Sequence, residues 1–553
     1  MVRFTHFRNV IVLFAFNLIT YATLAQQQPA SYVNPFIGTG GHGHAFPGAT
    51  VPFGMVQLSP DTRLEGWDGC SGYHYSDEHI YGFSHTHLSG TGVPDYCDIL
   101  FMPFNGDLQL NNGYDGMPGY RSAFKHEDER AEAGYYRVKL LKDGINAELT
   151  ATNRVGFHKY TYSNKKNQSI LIDLQHRDMV TDSWINKVND YEIEGFRGST
   201  GWARDQRIYF AARFSRPIKK ARLYSNDSLV EGNIIRNSKN IKAGLFFEDG
   251  EDVILVKVGI SAVSAENARK NMDAEIAGWD FDETRTKATT LWNKELNKIQ
   301  VSGKDETSKT IFYTAMYHAM IAPNTYYDVD GSYLGRDFKI HQLSPSEGGY
   351  YTVFSLWDTY RALHPLFTII DQERTGEFIQ TFINQYEQGG MLPVWELAAN
   401  ETWCMIGYHA VPVIADAWVK GIRNYDEEKA LKAMLNSASA NHFGLNSYRK
   451  LGYIPAGDEA ESVSKTLEYA YDDWCIAEVA GAMGKDELRD EYLKRGLNRI
   501  NMFLILKHNL CGRVITEAGL RHLMQRRLTL IIQKPIRGNT VFMYLMIWKG
   551  LPI

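Results

Sequence analysis

Ile145–Ala151 reads INAELTA, a stretch in which apolar and polar side chains alternate along the chain. A period of two is typical of a β-strand that buries one face. Ile170–Ile172 and Val253–Val256 are short apolar runs, rich in β-branched residues and bounded by polar ones. Because this pattern continues from about residue 135 to residue 260, the region is predicted to form a β-sandwich.

After Ser264 the spacing of apolar residues becomes helical. One predicted helix repeats apolar residues at helical intervals: Leu467, Ala470, Tyr471, Trp474 and Ala477. Asp426 is expected to cap another helix. The predicted helices span residues 264–277, 281–298, 307–321, 357–371, 374–388, 409–421, 427–438, 462–483 and 486–503. Helices that follow one another without strands predict an α/α toroid with sites on the loops at one end.

A second informative stretch, Gly66–Pro103, reads GWDGCSGYHYSDEHIYGFSHTHLSGTGVPDYCDILFMP and has almost no aliphatic run. Glycine lets the backbone approach a ligand, aromatic faces pack on sugar C–H groups, and Asp and His give directed hydrogen bonds. This composition predicts a polar small-molecule site, with a sugar as the first candidate.

Together with NPFIGTGGHGHAFPGATVPFGMVQLSPDT at Asn34–Thr62, this stretch resembles the amino-terminal signature of glycoside hydrolase family 92, the calcium-dependent inverting exo-α-mannosidases. The resemblance covers roughly residues 31–503. It implies a multidomain β + α chain, in which an N-terminal β-sandwich is followed by linker helices and an (α/α)6 toroid, incomplete here. It also implies calcium as cofactor, mannose-containing glycans as partners, and an active site between the domains.

The expected domains follow from the resemblance and from the length, since one core seldom holds more than about 250–300 residues. They are a signal peptide at 1–25, a β-sandwich domain at 28–262, linker helices at 263–300, a partial (α/α)6 catalytic domain at 301–503 and an aberrant basic tail at 504–553.

The helical half contains three candidate sugar-binding stretches. In YTVFSLWDTYRALHPL, Trp357 and Asp358 stand at a loop-to-helix junction. A capping Asp and a core Trp are the alternatives from residues alone, whereas the resemblance implies that this pair contacts the non-reducing mannose. With Trp67, they are expected to converge on one cleft.

The second stretch, GGMLPVWELAANETWCMIGYH, is expected to be an exposed rim loop, because Gly389-Gly390 and Pro393 break the flanking helices. Its candidate substrate-binding residues are Trp395, Glu396 and Trp403, and Glu401 and His409 lie in the same stretch. The third stretch is GYIPAGDEAESVSKTLEYAYDDW.

No catalytic acid or base is assigned to the carboxylate pairs Asp472-Asp473 and Asp458-Glu459. An inverting glycosidase holds its two carboxyl groups roughly 6.5–9.5 Å apart, and adjacent residues of a helix do not face each other. A helix cap, a salt bridge or a solvated face is the expected role of each pair.

The histidine pairs His42/His44 and His85/His87 do not define a metal site by spacing, and His87 is expected to contact substrate. Calcium prefers oxygen ligands, so these imidazoles would bind sugar hydroxyls or support loops, and the metal ligands stay unassigned. Asp95 and Asp98 are possible oxygen donors, with a turn-and-strand role as the favoured alternative. No CxxC spacing or HExxH helix suggests zinc.

The amino terminus predicts export to the periplasm or the extracellular space. Arg3 and Arg8 flank the start of an apolar run, Val10–Ile19, and small residues precede Gln26. The run is shorter than the roughly 20 apolar residues of a transmembrane helix. A secretory signal peptide without a stable membrane span is therefore expected.

Cysteine and charge content exclude other classes. Five cysteines in so long a chain are not a disulfide scaffold. Cys70 and Cys97 could form a bridge, although two buried thiols are favoured. The net charge of −5, with Lys and Arg dispersed through the main body, argues against a nucleic-acid partner.

The pattern breaks after Phe503, where the last fifty residues hold eight Lys or Arg and one acidic residue, Glu517. A membrane-surface segment at Val541–Trp548 is one interpretation. A frameshift is favoured, because permitted codons for Ala518–Pro552, read from the third base, yield GWFTPFDA and then YTEANPWQYSFYVPHDMEGL. The second string resembles the next motif of the family, and its general-acid Glu would straddle the codons of Gln533 and Lys534.

The family's calcium-binding GNEPSH-like motif and its base motif do not occur in the sequence. We therefore expect a secreted exo-α-mannosidase by family, whose present chain is inactive. The alternatives are a non-catalytic carbohydrate-binding protein and another (α/α)6 glycosidase, against which the GTGGHGH and SHTHLSGTG strings speak.

Overall fold

The computed structural model describes residues 28–345 and 347–497. The chain divides into two compact units, one that runs to Asn324 and includes Asp328–Asp330, and one formed by Thr325–Tyr327 and the chain from Gly331 onward. The predicted signal peptide and basic tail lie outside the described residues.

Two antiparallel sheets build the first unit. Sheet A consists, in spatial order, of Ala49–Thr50, Gln57–Asp61, Gly82–Ser84, Leu100–Asn105, Gln168–Asp173, Ile241–Phe247, Ile218–Ser225 and Ser228–Val230. Sheet B consists of Ile234–Ile235, Met179–Asn189, Glu192–Thr200, Gln206–Phe214, Val253–Ser261, Val155–Tyr162, Ile145–Ala151, Tyr135–Leu140 and Arg130–Glu132. A small pair joins His79–Ile80 to Ser122–Ala123.

The main core contains apolar side chains of both sheets. Ile145, Ala147 and Leu149 of the INAELTA strand belong to it, as do Ile170 and Ile172 of sheet A. This shared core confirms the predicted β-sandwich, and it follows from a period of two that sends alternate side chains to one face.

Helices cover the outer face of sheet B. Helix α1 (Ala265–Glu275) begins at the cap Ser264 and packs Ala268 and Met272 against Phe157. A Cβ at Gly259 would lie 2.2 Å from the carbonyl oxygen of Ala268, so glycine permits the close approach of α1. Helices α2 (Phe281–Leu296) and α3 (Glu306–Ala319) follow in the same unit.

The second unit is mainly helical. Its helices are α4 (Leu356–Thr359), α5 (Leu363–Ile370), α6 (Gln372–Gly389), α7 (Ala410–Val419), α8 (Glu427–Ser439), α9 (Leu445–Leu451) and α10 (Ser462–Ala482), and residues 486–497 are also helical. Asp426 caps α8 by accepting a hydrogen bond from the Lys429 N–H, as predicted. In the described part of the chain these helices do not close a barrel, in agreement with the expected incomplete toroid.

Besides helix α9, which was not predicted, two features differ from the predicted helices. Helix 357–371 is split into α4 and α5, because the ring of Pro365 would clash with the carbonyl of Arg361 in a continuous helix. Short strands also interrupt the helical half, at Asn324–Thr325, Ser332–Leu334, Ile340–Gln342, Tyr351–Thr352, Phe354–Ser355, Trp395–Leu397 and Asn400–Glu401.

Candidate functional site

Helix α4 and the turn after it bring an aromatic ring, a carboxylate and a cation together in the second unit. Asp358 is exposed, and its Oδ2 accepts a hydrogen bond from the Ser355 hydroxyl at 2.6 Å. The Arg361 guanidinium lies 4.7 Å from the centre of the Trp357 ring. A half-buried Trp beside an exposed carboxylate is suited to a pyranose, whose C–H face packs on the ring while hydroxyls bind the acceptor.

A polar chain extends from this group to helix α10. Arg361 Nη2 lies 3.4 Å from Glu468 Oε1, and the other oxygen of Glu468 lies 3.3 Å from His409 Nε2. His409 Nδ1 lies 2.8 Å from Asp472 Oδ1, and the Tyr360 ring stacks on the imidazole with centroids 4.3 Å apart. Sequence reasoning missed Glu468, although its position four residues before Asp472 puts both on one helix face.

Asp472 and Asp473 are fully buried in supporting networks. Asp472 accepts a hydrogen bond from the Tyr408 N–H at 2.9 Å. Asp473 accepts hydrogen bonds from the hydroxyls of Tyr408 and Tyr448 and forms an ion pair with Arg495. Burial raises the pKa of Asp473 to about 6 despite that pair. Of the three roles expected for this dipeptide, the salt bridge is the one observed for Asp473.

Trp395 and Glu396 lie on a buried strand rather than on an exposed rim. Glu396 pairs in register with Phe354 on one side and with Glu401 on the other. Its Oε1 accepts hydrogen bonds from Thr352 Oγ1 at 3.0 Å and from the Ala399 N–H at 2.7 Å. Burial raises the pKa of Glu396 to about 8. The structure therefore places both residues beneath the loop, which differs from the expected substrate contact.

Trp403, in contrast, is half-buried and lines a cavity of about 130 Å³. Its ring lies 5.0 Å from the His442 ring and 5.5 Å from the Phe443 ring. Tyr408 and Lys465 line the same cavity. Of the three candidates in this stretch, Trp403 is the one whose side chain borders open space.

Trp67 is exposed in the first unit, with 58% of its surface accessible. His44 contacts the indole edge-to-face at a centroid distance of 4.2 Å, and His42 binds Asp68 through Nδ1 at 2.5 Å. A Cβ at Gly92 would lie 2.2 Å from Trp67 Nε1, so glycine is required there for this position of the ring. Trp67 and the Trp357–Asp358 group belong to different units, and their convergence on one cleft stays a prediction.

His87 is almost fully buried, in contrast to the expected substrate contact. Its Nδ1 lies 2.7 Å from the Gln57 carbonyl oxygen and its Nε2 lies 3.0 Å from Asp61 Oδ1. Asp61, His87 and Cys97 bring one ligand atom each within 4.8 Å of one another. This set does not fit calcium, which takes six to eight oxygen ligands. Among the described residues no other such cluster of His, Cys, Asp and Glu is found.

The cysteines of this region are free thiols. Cys70 and Cys97 are both buried and unbridged, in agreement with the favoured interpretation. Within residues 28–345 and 347–497, no helix has the length and apolar character that a membrane crossing requires.

Comparison with known proteins identifies the family. Residues 32–261 match the glycosyl hydrolase family 92 N-terminal domain, and residues 267–516 match the glycosyl hydrolase family 92 catalytic domain. The second match runs past Phe503, where the sequence pattern breaks. The two matched domains follow one another along the chain and together cover most of it. The chain belongs to glycosyl hydrolase family 92.

Individual relatives agree with this assignment. A GH92 α-mannosidase from Bacteroides thetaiotaomicron, solved in complex with mannoimidazole, is 41% identical, with a TM-score of 0.82 over 85% of this chain and 64% of that protein. A GH92 inverting mannosidase from the same species is 31% identical, with a TM-score of 0.78 over 86% of this chain and 65% of that protein.

A curated relative from Arthroderma benhamiae, described as an uncharacterized secreted glycosidase, is 27% identical over 526 residues. That match covers 85% of this chain and 62% of the relative. The chain thus spans less than two thirds of the length of the relatives it matches.

Proposed function

We propose that this chain comes from an exported exo-acting glycoside hydrolase that removes α-linked mannose from glycans with inversion. The observation that carries the proposal is the 41% identity, over 85% of the chain, to an α-mannosidase that was solved with mannoimidazole. The exposed group of Trp357 and Asp358 supports it, because an aromatic face beside a carboxylate suits a non-reducing sugar. Export is supported by the predicted signal peptide and by a relative that is called secreted.

We propose that the exposed and half-buried site residues contact the sugar and that the buried ones support them. Trp67, Trp357 and Trp403 offer ring surface, and Asp358 offers an acceptor for sugar hydroxyls. Arg361 lies over Trp357 and reaches Glu468, so it holds the ring and the carboxylate of α10 in place. The buried residues Trp395, Glu396 and His87 support these loops from below instead of touching the sugar.

Inversion requires a carboxylic acid at the glycosidic oxygen and a carboxylate base that activates water across the ring. We assign neither role within the described residues, because Asp472, Asp473 and Glu396 are buried and committed to other partners. The cluster of potential metal ligands found among the described residues, Asp61, His87 and Cys97, does not provide the oxygen-rich set that calcium, implied by the family resemblance, prefers. We therefore propose that the 553-residue chain as written does not turn over α-mannosides.

This proposal is tested with the purified chain and an α-linked mannobiose, with and without added calcium. We expect no release of mannose, since each missing acid or base group contributes roughly 10²–10⁴-fold. Restoring the alternative reading frame and the downstream coding sequence is expected to give calcium-dependent release of mannose with inversion. NMR identifies the anomer of mannose that forms first. Glu→Gln in the recovered TEANPWQY motif is the matched control and should remove most of that activity. Turnover by the chain as written would contradict the proposed inactivity.

A non-catalytic carbohydrate-binding protein is the second candidate. The specific observation in its favour is the exposure of Trp67 and Asp358 in a chain for which no acid and base are assigned. Binding of methyl α-mannoside without hydrolysis would favour a carbohydrate-binding protein. Hydrolysis by the protein with the restored reading frame would reject this candidate for that protein.

A further inference from the structure

The first unit contains a buried cluster of three chemically different metal ligands. Asp61, His87 and Cys97 are fully or almost fully buried, and their ligand atoms lie within 4.8 Å of one another. We propose that this cluster binds one zinc ion through the Asp61 carboxylate, His87 Nε2 and the Cys97 thiolate. The cluster belongs to the first unit, whereas the Trp357–Asp358 group belongs to the second, and its donor set differs from that of a calcium site.

Hydrogen bonding to His87 defines which ring nitrogen is available. Nδ1 lies 2.7 Å from the Gln57 carbonyl oxygen, which can only accept, so Nδ1 carries a hydrogen. In a neutral ring Nε2 then holds a lone pair, and it points at Asp61 Oδ1 only 3.0 Å away. The lone pair of Nε2 is therefore available to a cation that it would share with Asp61, and the Ser84 hydroxyl lies 3.1 Å from the same nitrogen.

The thiol of Cys97 favours the metal. Cys97, with φ of 60°, lies in a short segment in which Tyr96 and Ile99 also have positive φ, at 81° and 60°. Such backbone costs of order 1–3 kcal/mol per residue and persists where the surroundings impose it. The Cys97 N–H is held by the Thr86 carbonyl oxygen at 2.7 Å. This backbone directs a soft sulfur ligand to the carboxylate and imidazole that already face each other.

Gly72 provides the space that the ligands share. A Cβ at this position would lie 2.2 Å from Asp61 Oδ1, 2.9 Å from Cys97 Sγ and 3.0 Å from His87 Cδ2. Its φ of 81° also favours glycine. A side chain at this position would therefore collide with Asp61 and Cys97 and crowd the ring of His87.

Distances and outer contacts fit zinc. Two O or N ligands of a tetrahedral zinc, at about 2.0–2.1 Å from the metal, lie about 3.4 Å apart, close to the 3.0 Å between Asp61 Oδ1 and His87 Nε2. His176 Nε2 lies 3.0 Å from the second oxygen of Asp61. With the Gln57 carbonyl, this gives each of two ligands an outer partner that fixes its orientation.

The fourth position has a candidate on the protein. Ser84 Oγ lies 3.1 Å from His87 Nε2, so its hydroxyl or a water molecule would complete four-fold coordination. Binding releases the Cys97 thiol proton to solvent, and burial, which raises the pKa of this thiol, opposes that release unless a cation is present. The ion would have a structural role, because it would join the end of strand Gln57–Asp61 to the Gly66–Pro103 stretch, which contains His87, Cys97 and Trp67.

The test uses the full-length chain, loaded with zinc alone, passed through a desalting column and analysed for metal. The wild-type chain is expected to retain stoichiometric zinc. Cys97→Ala is expected to weaken zinc binding by at least about 100-fold, because losing a direct ligand exceeds the 10–100-fold effect of an outer partner. Cys475→Ala, which removes another buried thiol in the second unit, is the matched control and should bind zinc as the wild type does.

Cobalt substitution keeps the test decisive if Cys97→Ala fails to fold. Wild-type protein loaded with cobalt is expected to show a thiolate-to-cobalt charge-transfer band in the near ultraviolet and the visible bands of a four-coordinate ion. Absence of retained zinc together with absence of the charge-transfer band would overturn the proposal. Asp61 and His87 would then face each other without a metal ion between them.

Discussion

Arg197 in the β-sandwich and Glu396 in the helical unit are both fully buried ionisable side chains, yet their surroundings treat charge in opposite ways. Arg197 forms ion pairs with Asp98 and Asp178 and donates to the carbonyl oxygens of Leu174 and His176, each at 2.9 Å. Burial alone would lower the pKa of Arg197, but the two carboxylates raise it above its usual value. The guanidinium therefore stays charged.

Among the described residues, Arg336 is the cation that acts on Glu396, and it lowers the pKa of the carboxyl less than burial raises it. Glu396 Oε1 accepts from a hydroxyl and one backbone N–H, and burial dominates, so that the pKa of the carboxyl rises to about 8. Below about pH 8 the Glu396 carboxyl is therefore mainly neutral, whereas the Arg197 guanidinium is charged. Burial by itself therefore does not determine protonation, which also depends on how many opposite charges and hydrogen bonds surround the group.

Breaking the ion pairs of Arg197 is expected to have the largest effect. Arg197→Met leaves the buried carboxylate of Asp98 and the partly buried carboxylate of Asp178 without their cation and should lower the free energy of unfolding of the β-sandwich by about 3–5 kcal/mol. Urea unfolding followed by circular dichroism measures the loss. Arg207→Met is the matched control, because Arg207 pairs with Asp205 at the surface and should cost about 0–1 kcal/mol. Similar losses in both variants would contradict the comparison.

The raised pKa of Glu396 predicts that the free energy of unfolding depends on pH. Because the folded-state pKa is above the unfolded value of roughly 4.3, the folded state binds more protons than the unfolded state between these values. The stability that this group contributes is therefore present at low pH and is lost as pH rises from about 4.3 toward 8.

Glu396→Gln mimics the neutral acid and should abolish that slope. At pH 8 we expect the variant to be more stable than the wild type by more than about 1 kcal/mol, and at pH 4, below the unfolded pKa, nearly equal to it. Urea unfolding at a series of pH values measures the difference. Glu387→Gln, at an exposed position paired with Lys429, is the control and should show no such trend. A pH-independent difference for Glu396→Gln would mean that the buried carboxyl titrates normally.

Much of the fold could be predicted from local sequence. The INAELTA strand and the helix at 462–483 were predicted from period alone, and the structure has them at Ile145–Ala151 and Ser462–Ala482. Helix α9 was missed because it is only seven residues long, although Gly444 and Gly452, both left-handed, mark its two ends. Short elements bury too few periodic residues to give a pattern.

The candidate site was less predictable, because its partners are distant in the chain. The SHTHLSGTG string gave no indication that His87 binds Asp61, 26 residues earlier, or that Asp61 also binds His176. Glu396 was expected on an exposed rim. Its burial could not be predicted, because one of the hydrogen bonds that hold it comes from Thr352, 44 residues away. Aromatic and carboxylate residues indicate sugar binding by type, but burial depends on long-range packing.

The smallest effect on stability is expected for substitution of Trp67, which is exposed, in contrast to the buried Arg197 and Glu396. Trp67→Ala should change the free energy of unfolding by no more than about 0.5 kcal/mol, because the indole is largely exposed. A sugar that covers about 60 Å² of its apolar surface would gain about 1.5 kcal/mol, so the variant should bind methyl α-mannoside about 10-fold more weakly. Isothermal titration calorimetry measures this affinity. Trp202→Ala, which removes another exposed indole of the same unit, is the control and should leave it unchanged. Equal affinities of the Trp67 variant and the wild type would remove Trp67 from the proposed sugar contacts and leave the Trp357–Asp358 group to bind the ligand.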